Sequence, residues 1–191
     1  MTAVNLFLLF TFSAFSANLL LQCGLGINTE SRISHIKITS VKLGIIFLSV
    51  VFLWSIFTGL VFSIFSGIFI YIIIFPVSFM TYEGLENLIF RKYFKNINTG
   101  SAVGFPGGIT AIALFICLNI SGGFLETLIL VFGFTSGILL VNIVLCEIQK
   151  RAALEAVPRF LRGKPLILIS MGLLSLVFTK VSILIFRVIG L

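Results

Sequence analysis

A run of 40 residues without one charged side chain, Leu43 to Tyr82, sets the terms on which this chain folds. As a single helix it would be about 60 Å long at 1.5 Å per residue, twice the ~30 Å hydrocarbon core of a bilayer. Two apolar helices joined by a tight turn satisfy that limit, and the turn is expected near Ser63 to Gly67. Composition agrees: 59% of the 191 residues are hydrophobic and 10% are charged, with a mean hydropathy of +1.25. Soluble domains carry about a quarter charged residues, so in water this chain would be short of polar surface. In lipid the apolar surface is the solvated one. These residues predict an integral membrane protein with almost no extramembrane domain.

Charge-free windows place the other spans. Met1 to Thr29 has no Lys or Arg and exceeds the ~7–15 residues of a signal-peptide core, so it reads as a retained membrane segment. Further apolar stretches run from Ala102 to Phe124, Thr127 to Cys146 and Pro165 to Phe186. The expected fold is all-α and polytopic, with six transmembrane helices.

Basic residues test that count. Arg32, Lys37 and Lys42 fall between helices 1 and 2, and Arg91, Lys92 and Lys95 between helices 3 and 4. Lys150, Arg151, Arg159, Arg162 and Lys164 fall between helices 5 and 6. The remaining turns and the N-terminus carry none, so loops 1, 3 and 5 are expected in the cytoplasm and both termini outside. Lys180 and Arg187 depart from the alternation, but both lie toward the outer end of helix 6, where long side chains reach the interface. Charge clustered in loops in this way is topogenic, and nucleic-acid binding is not expected despite the net charge of +7.

Three helices before the middle loop and three after it form two halves, about 1–95 and 96–191, of opposite orientation, the geometry of an inverted repeat. The first helix of each half contains an interruption signal. Gly24 and Gly26 lie late in helix 1, within Asn18 to Ile27, and Pro106-Gly107-Gly108 lies early in helix 4, within Gly104 to Thr110. Proline removes a donor and glycine relaxes the backbone. Non-helical backbone at membrane depth is tolerated only inside protein or along a cavity. These positions are the candidate solute- or cofactor-facing breaks; the same residues would also serve as helix caps or close-packing points. Pro76 is expected to kink helix 3.

Glu83, Glu86 and Glu147 sit at cytoplasmic helix ends near basic residues, and Glu147 with Arg151 has ion-pair spacing. Interfacial pairing is expected for all three, with Glu83 the deepest. Cys23, Cys117 and Cys146 are scattered without a C-x-x-C spacing, and the one histidine is His35. No metal site, catalytic triad or phosphate-cradling loop is evident, so a lone enzyme is not expected.

From Glu147 to Phe178 the chain resembles membrane subunits of the Rnf and Nqr redox-driven ion pumps, most closely the A subunit of Rnf and its Nqr counterpart. The matching positions are Ile148, Arg151, Val157-Pro158, Arg162-Gly163, Leu168-Ile169, Gly172-Leu173, Ser175-Leu176 and Phe178, without a gap. Weaker matches lie at Asn18 to Gly26, at Glu86 with Arg91-Lys92, and at Phe105-Pro106 with Thr110. The resemblance implies a bacterial inner-membrane protein of six helices in two inverted halves, paired with a paralogous six-helix subunit and with other redox subunits. In that family each paired subunit gives one cysteine per half to a shared [2Fe-2S] cluster. Here the first position holds Gly26 or Ile27 and the second Ile112 or Thr110. Cys23 and Cys117 lie one to two helical turns away, as displaced alternatives only. The expectation is a non-catalytic subunit or paralogue of such a complex, structural or on the ion path, without its own cluster ligands and with no cofactor. The competing expectation is a small secondary transporter or membrane binding protein on the same inverted scaffold, taking a neutral or apolar solute.

Overall fold

The computed structural model describes residues 3–19, 21, 36–61, 69–93, 106–154 and 164–189. These form six helices and, among the described residues, no strand. Helix α1 spans Ala3–Thr11 and passes into a π-helical turn, Phe12–Ser16. Helix α2 spans Ile36–Ile56 and likewise ends in a π-helical turn, Phe57–Val61. Then come α3 (Phe69–Tyr93), α4 (Pro106–Ile120), α5 (Phe124–Leu154) and α6 (Lys164–Ile189).

Among the described residues, three stretches are long and apolar enough to cross a bilayer: Ser40–Gly59, Phe124–Ala152 and Pro165–Val188. Val4–Ser16 and Gly108–Ile120 are apolar but shorter. Large apolar side chains face outward on every helix, including Phe7, Phe52, Phe75, Phe115, Phe132 and Leu176. On a water-soluble protein such coverage would form one continuous sticky surface; against acyl chains it is the solvated face. A helical membrane protein in contact with lipid accounts for both the lengths and the surface.

The 40-residue charge-free window divides as its length requires. Helical structure runs through Val61 and resumes at Phe69, and the expected turn at Ser63 to Gly67 falls outside the described residues. Between α4 and α5 the turn Ser121-Gly122-Gly123 is closed by side chains. Thr127 Oγ donates to Ser121 Oγ at 2.8 Å, and Glu126 accepts from the Gly122 N–H at 2.7 Å, which satisfies a backbone donor just ahead of α5.

The helices exchange partners between the halves. α1 with its π turn packs on α5 and α6, whereas α4 packs on α2 and α3. α2 packs on α3 and α5, and α5 on α6 and more lightly on α4. Interchanging α1 with α4, α2 with α5 and α3 with α6 carries nearly all of these pairings onto one another. The ring contact of Trp54 with Phe124, centroids 6.2 Å apart, joins the end of α2 to the start of α5, so the two run antiparallel. The core around them is largely apolar, with Val50, Leu53, Leu114, Leu130, Val131 and Val141 all buried, and the buried Ser49 hydroxyl donates to the Ile45 and Ile46 carbonyls of its own helix.

Several expected boundaries move. α5 continues eight residues beyond Cys146 to Leu154. Glu147 sits on its last turns, 3.4 Å from Lys150 and 3.6 Å from Arg151, and these i,i+3 and i,i+4 pairs carry the helix past the apolar segment. The first two basic residues of the expected loop 5 are therefore helical. Pro106-Gly107-Gly108 forms the first described turn of α4, which runs to Ile120; Gly104 and Phe105, where the expected interruption begins, lie outside the described residues. Proline is tolerated at the start of a helix, where its missing donor has no helical acceptor.

Candidate functional site

The interruption in α1 comes earlier than its glycines suggest. The Ala17 N–H donates to the Phe12 carbonyl at 2.8 Å, the five-residue step of a π turn. Ala17 itself leaves helical geometry, at φ −97° and ψ 35°. Asn18, 1% exposed, bridges the gap that results. Its Nδ2 donates to the Ala14 carbonyl at 3.1 Å, and its Oδ1 lies 3.5 Å from the Leu21 N–H. One amide side chain thus serves a carbonyl on one side of the break and an N–H on the other, the accounting that buried backbone requires. Gly24, Gly26 and Cys23 lie outside the described residues.

The break rests on two glycines of α5. A Cβ on Gly137 would fall 2.5 Å from the Ala14 carbonyl oxygen and 2.9 Å from Asn18 Nδ2, and one on Gly133 would overlap Ser13 Oγ. Gly133 and Gly137 stand four apart in an apolar segment, the spacing that lets helix backbones approach closely in lipid. Phe10 stacks on Phe132 at 6.0 Å, and Phe15 meets Phe178 of α6 at 5.4 Å. Sequence reasoning passed over these glycines, although the G-x-x-x-G spacing is plain in the chain.

A buried ion pair lies between α2 and α3. Lys42 Nζ is 3.4 Å from Glu86 Oε1, with side chains 3% and 23% exposed. Lys42 is thus not a loop charge: α2 begins at Ile36, and the lysine stands within its second turn, facing inward. Of the two acids in α3, Glu83 was expected to be the deeper, but it is exposed and Glu86 is half-buried. Helical phase decides this, since Tyr82 and Glu86 share the inward face and Glu83 is turned away. Tyr82, 1% exposed, sets its hydroxyl beside the Glu86 carboxylate without reaching hydrogen-bond geometry to any described group. Ion pairs with little solvent access persist only with good local compensation, which makes this cluster the one place where charge enters the described interior.

The remaining expected residues are dispersed. Cys117 is fully buried in α4 and Cys146 is buried in α5, neither of them in a disulfide. Ile112 is half-buried and Thr110 buried in α4. Neither side chain carries a thiolate, the donor that an iron–sulfur cluster usually takes. Among the described residues, no three His, Cys, Asp or Glu side chains are grouped as a metal site. Lys180 and Arg187 of α6 are exposed, as snorkelling side chains would be. Pro76 lies inside α3 on an exposed face.

Models of known protein families and the curated proteins contain no match to this chain.

Proposed function

We propose that the chain is an integral membrane subunit, or a diverged paralogue, of an Rnf/Nqr-type ion-translocating electron-transport complex, with a structural or ion-path role and no cluster ligands of its own. The ungapped matches from Glu147 to Phe178 carry this reading. Two features support it. The exchange of α1 and α4 between halves is the pairing that an inverted repeat produces, and the Lys42–Glu86 pair supplies interior charge of the kind that ion paths use. In this reading six helices cross a bacterial inner membrane, with both termini outside and the basic loops in the cytoplasm.

The test is anaerobic purification of the protein, alone and with its membrane partners, followed by iron analysis and electron paramagnetic resonance. The expected outcome is co-purification with a paralogous membrane subunit and redox subunits, and no iron–sulfur signal that depends on this chain's cysteines. A stoichiometric [2Fe-2S] signal lost in Cys23→Ser or Cys117→Ser would overturn the absence of ligands. The second reading, a small transporter for a neutral or apolar solute, draws on the Asn18-bridged break in α1. It gains if no redox subunit is captured and a solute stabilises the isolated chain.

A further inference from the structure

An open groove of about 760 Å³ runs between α2 and α5. Ser40, Leu43, Gly44 and Phe47 form one wall; Phe132, Thr135, Leu139 and Ile143 lie along the other. The two hydroxyls on the α5 wall are bonded to their own helix. Thr135 donates to the Val131 and Phe132 carbonyls at 3.0 and 3.1 Å, and Ser136 donates to the Gly133 carbonyl at 3.0 Å. With its polar atoms spent on its own backbone, the α5 wall offers an occupant an apolar surface. That excludes a polar solute and matches hydrocarbon.

Length narrows the occupant further. From Phe132 to Ile143 the groove follows α5 for ~16 Å, close to the ~15 Å depth of one leaflet's hydrocarbon. Charge completes the pattern. Because α2 and α5 are antiparallel, Ser40 and Ile143 mark the same end. On α5, Lys150 and Arg151 stand about 10–12 Å beyond Ile143, the step from hydrocarbon into the headgroup layer. They share one carboxylate, Glu147, which leaves the cluster a net positive charge.

We propose that the α2/α5 groove is a retained-lipid site for an anionic phospholipid, with its acyl chains along Gly44, Phe47, Leu139 and Leu140 and its phosphate beside Lys150 and Arg151. Basic side chains at this depth favour anionic lipid over neutral lipid by about fivefold each. The position of Gly44 makes the test clean: a Cβ there meets nothing within 4 Å, so a side chain added at this point enters the groove and not the core.

The experiment is native mass spectrometry, with extracted-lipid analysis, of the protein purified from membranes in mild detergent and then exposed to mixed vesicles of phosphatidylglycerol and phosphatidylethanolamine. The expected result is phospholipid retained by the wild type, lost in Gly44→Phe and in Leu140→Trp, which fills the opposite wall. Lys150→Gln with Arg151→Gln should keep bound lipid but lower the preference for phosphatidylglycerol by about fivefold per charge. Retention unchanged in both groove-filling variants, or no phospholipid on the wild type, would overturn the proposal. So would cysteine cross-linking through Phe47→Cys that places a second copy or another helix in the groove.

Discussion

Substituting Gly137 by alanine isolates the fit of the α1 break on α5. The new methyl would sit 2.5 Å from the Ala14 carbonyl oxygen, 3.1 Å from the Ala14 carbonyl carbon and 2.9 Å from Asn18 Nδ2. Two of those three atoms are backbone, so no rotamer change relieves the contact, and the third belongs to the side chain that bridges the break. Overpacking of this kind costs about 1–3 kcal/mol. Alanine repays up to ~1 kcal/mol of that through its higher helix propensity, so the net loss is on the order of 1–2 kcal/mol. Gly172→Ala on α6 is the matched control, because a Cβ there meets nothing within 4 Å. It keeps the propensity gain without the clash and should be neutral to stabilising. Thermal unfolding of both variants in one detergent, followed by a thiol-reactive dye or by tryptophan fluorescence, gives the comparison. Gly137→Ala at or above Gly172→Ala in midpoint would refute the close-approach argument.

Other outcomes follow from the same contacts. Asn18→Leu removes the bridge on both sides of the break and should destabilise by about 1–3 kcal/mol, measured as a shift in unfolding midpoint. Breaking the Lys42–Glu86 pair should be asymmetric: Glu86→Gln strips the carboxylate from the more buried lysine and should cost ~3–5 kcal/mol, whereas Lys42→Met leaves the more exposed acid and should cost less. A double-mutant cycle with Lys42→Met and Glu86→Leu should recover most of that loss, and simple additivity would contradict direct pairing. Glu147→Gln, on an exposed helix end with two weak partners, should change stability by no more than about 0.5–1 kcal/mol in the same assay.

Much of the architecture could be read from charge alone. A bilayer penalises charge and cannot satisfy loose backbone, so the uncharged windows and their lengths gave the α2/α3 division and came within a few residues of the α4/α5 turn, which lies at Ser121-Gly122-Gly123 and not between Phe124 and Thr127. Helix ends were less legible because they are set by local pairing: Glu147 with Lys150 and Arg151 extends α5 past its apolar run. The interior polar contacts were hidden for another reason. Lys42 and Glu86 are 44 positions apart, and Lys42 directly precedes the long apolar window, where a lysine reads as loop charge. Only the packing of α2 on α3 turns it inward. The Gly133/Gly137 spacing announces a close helix contact but not with whom; that α1 is the partner depends on the exchange between halves. The resemblance behind the proposed function rests on one ungapped stretch that includes residues 155–163, which lie outside the described structure.

The exchange of α1 and α4 also governs the order in which the molecule can be completed. A ribosome delivers α1 first, yet its seats, Gly133 and Gly137 and then Phe178, are the last third of the chain. Until α5 emerges, the bend at Ala17 is supported from within α1, by the Asn18 bridge and the Ala17–Phe12 backbone bond. α4, by contrast, finds α2 and α3 already made. Chain growth therefore closes one side of the bundle early and leaves the other waiting for the end of translation. Severing the chain within residues 94–105 and co-expressing the two pieces should still give an assembled bundle, since each piece carries the helix that the other lacks. Either piece alone should be a substrate for membrane quality control.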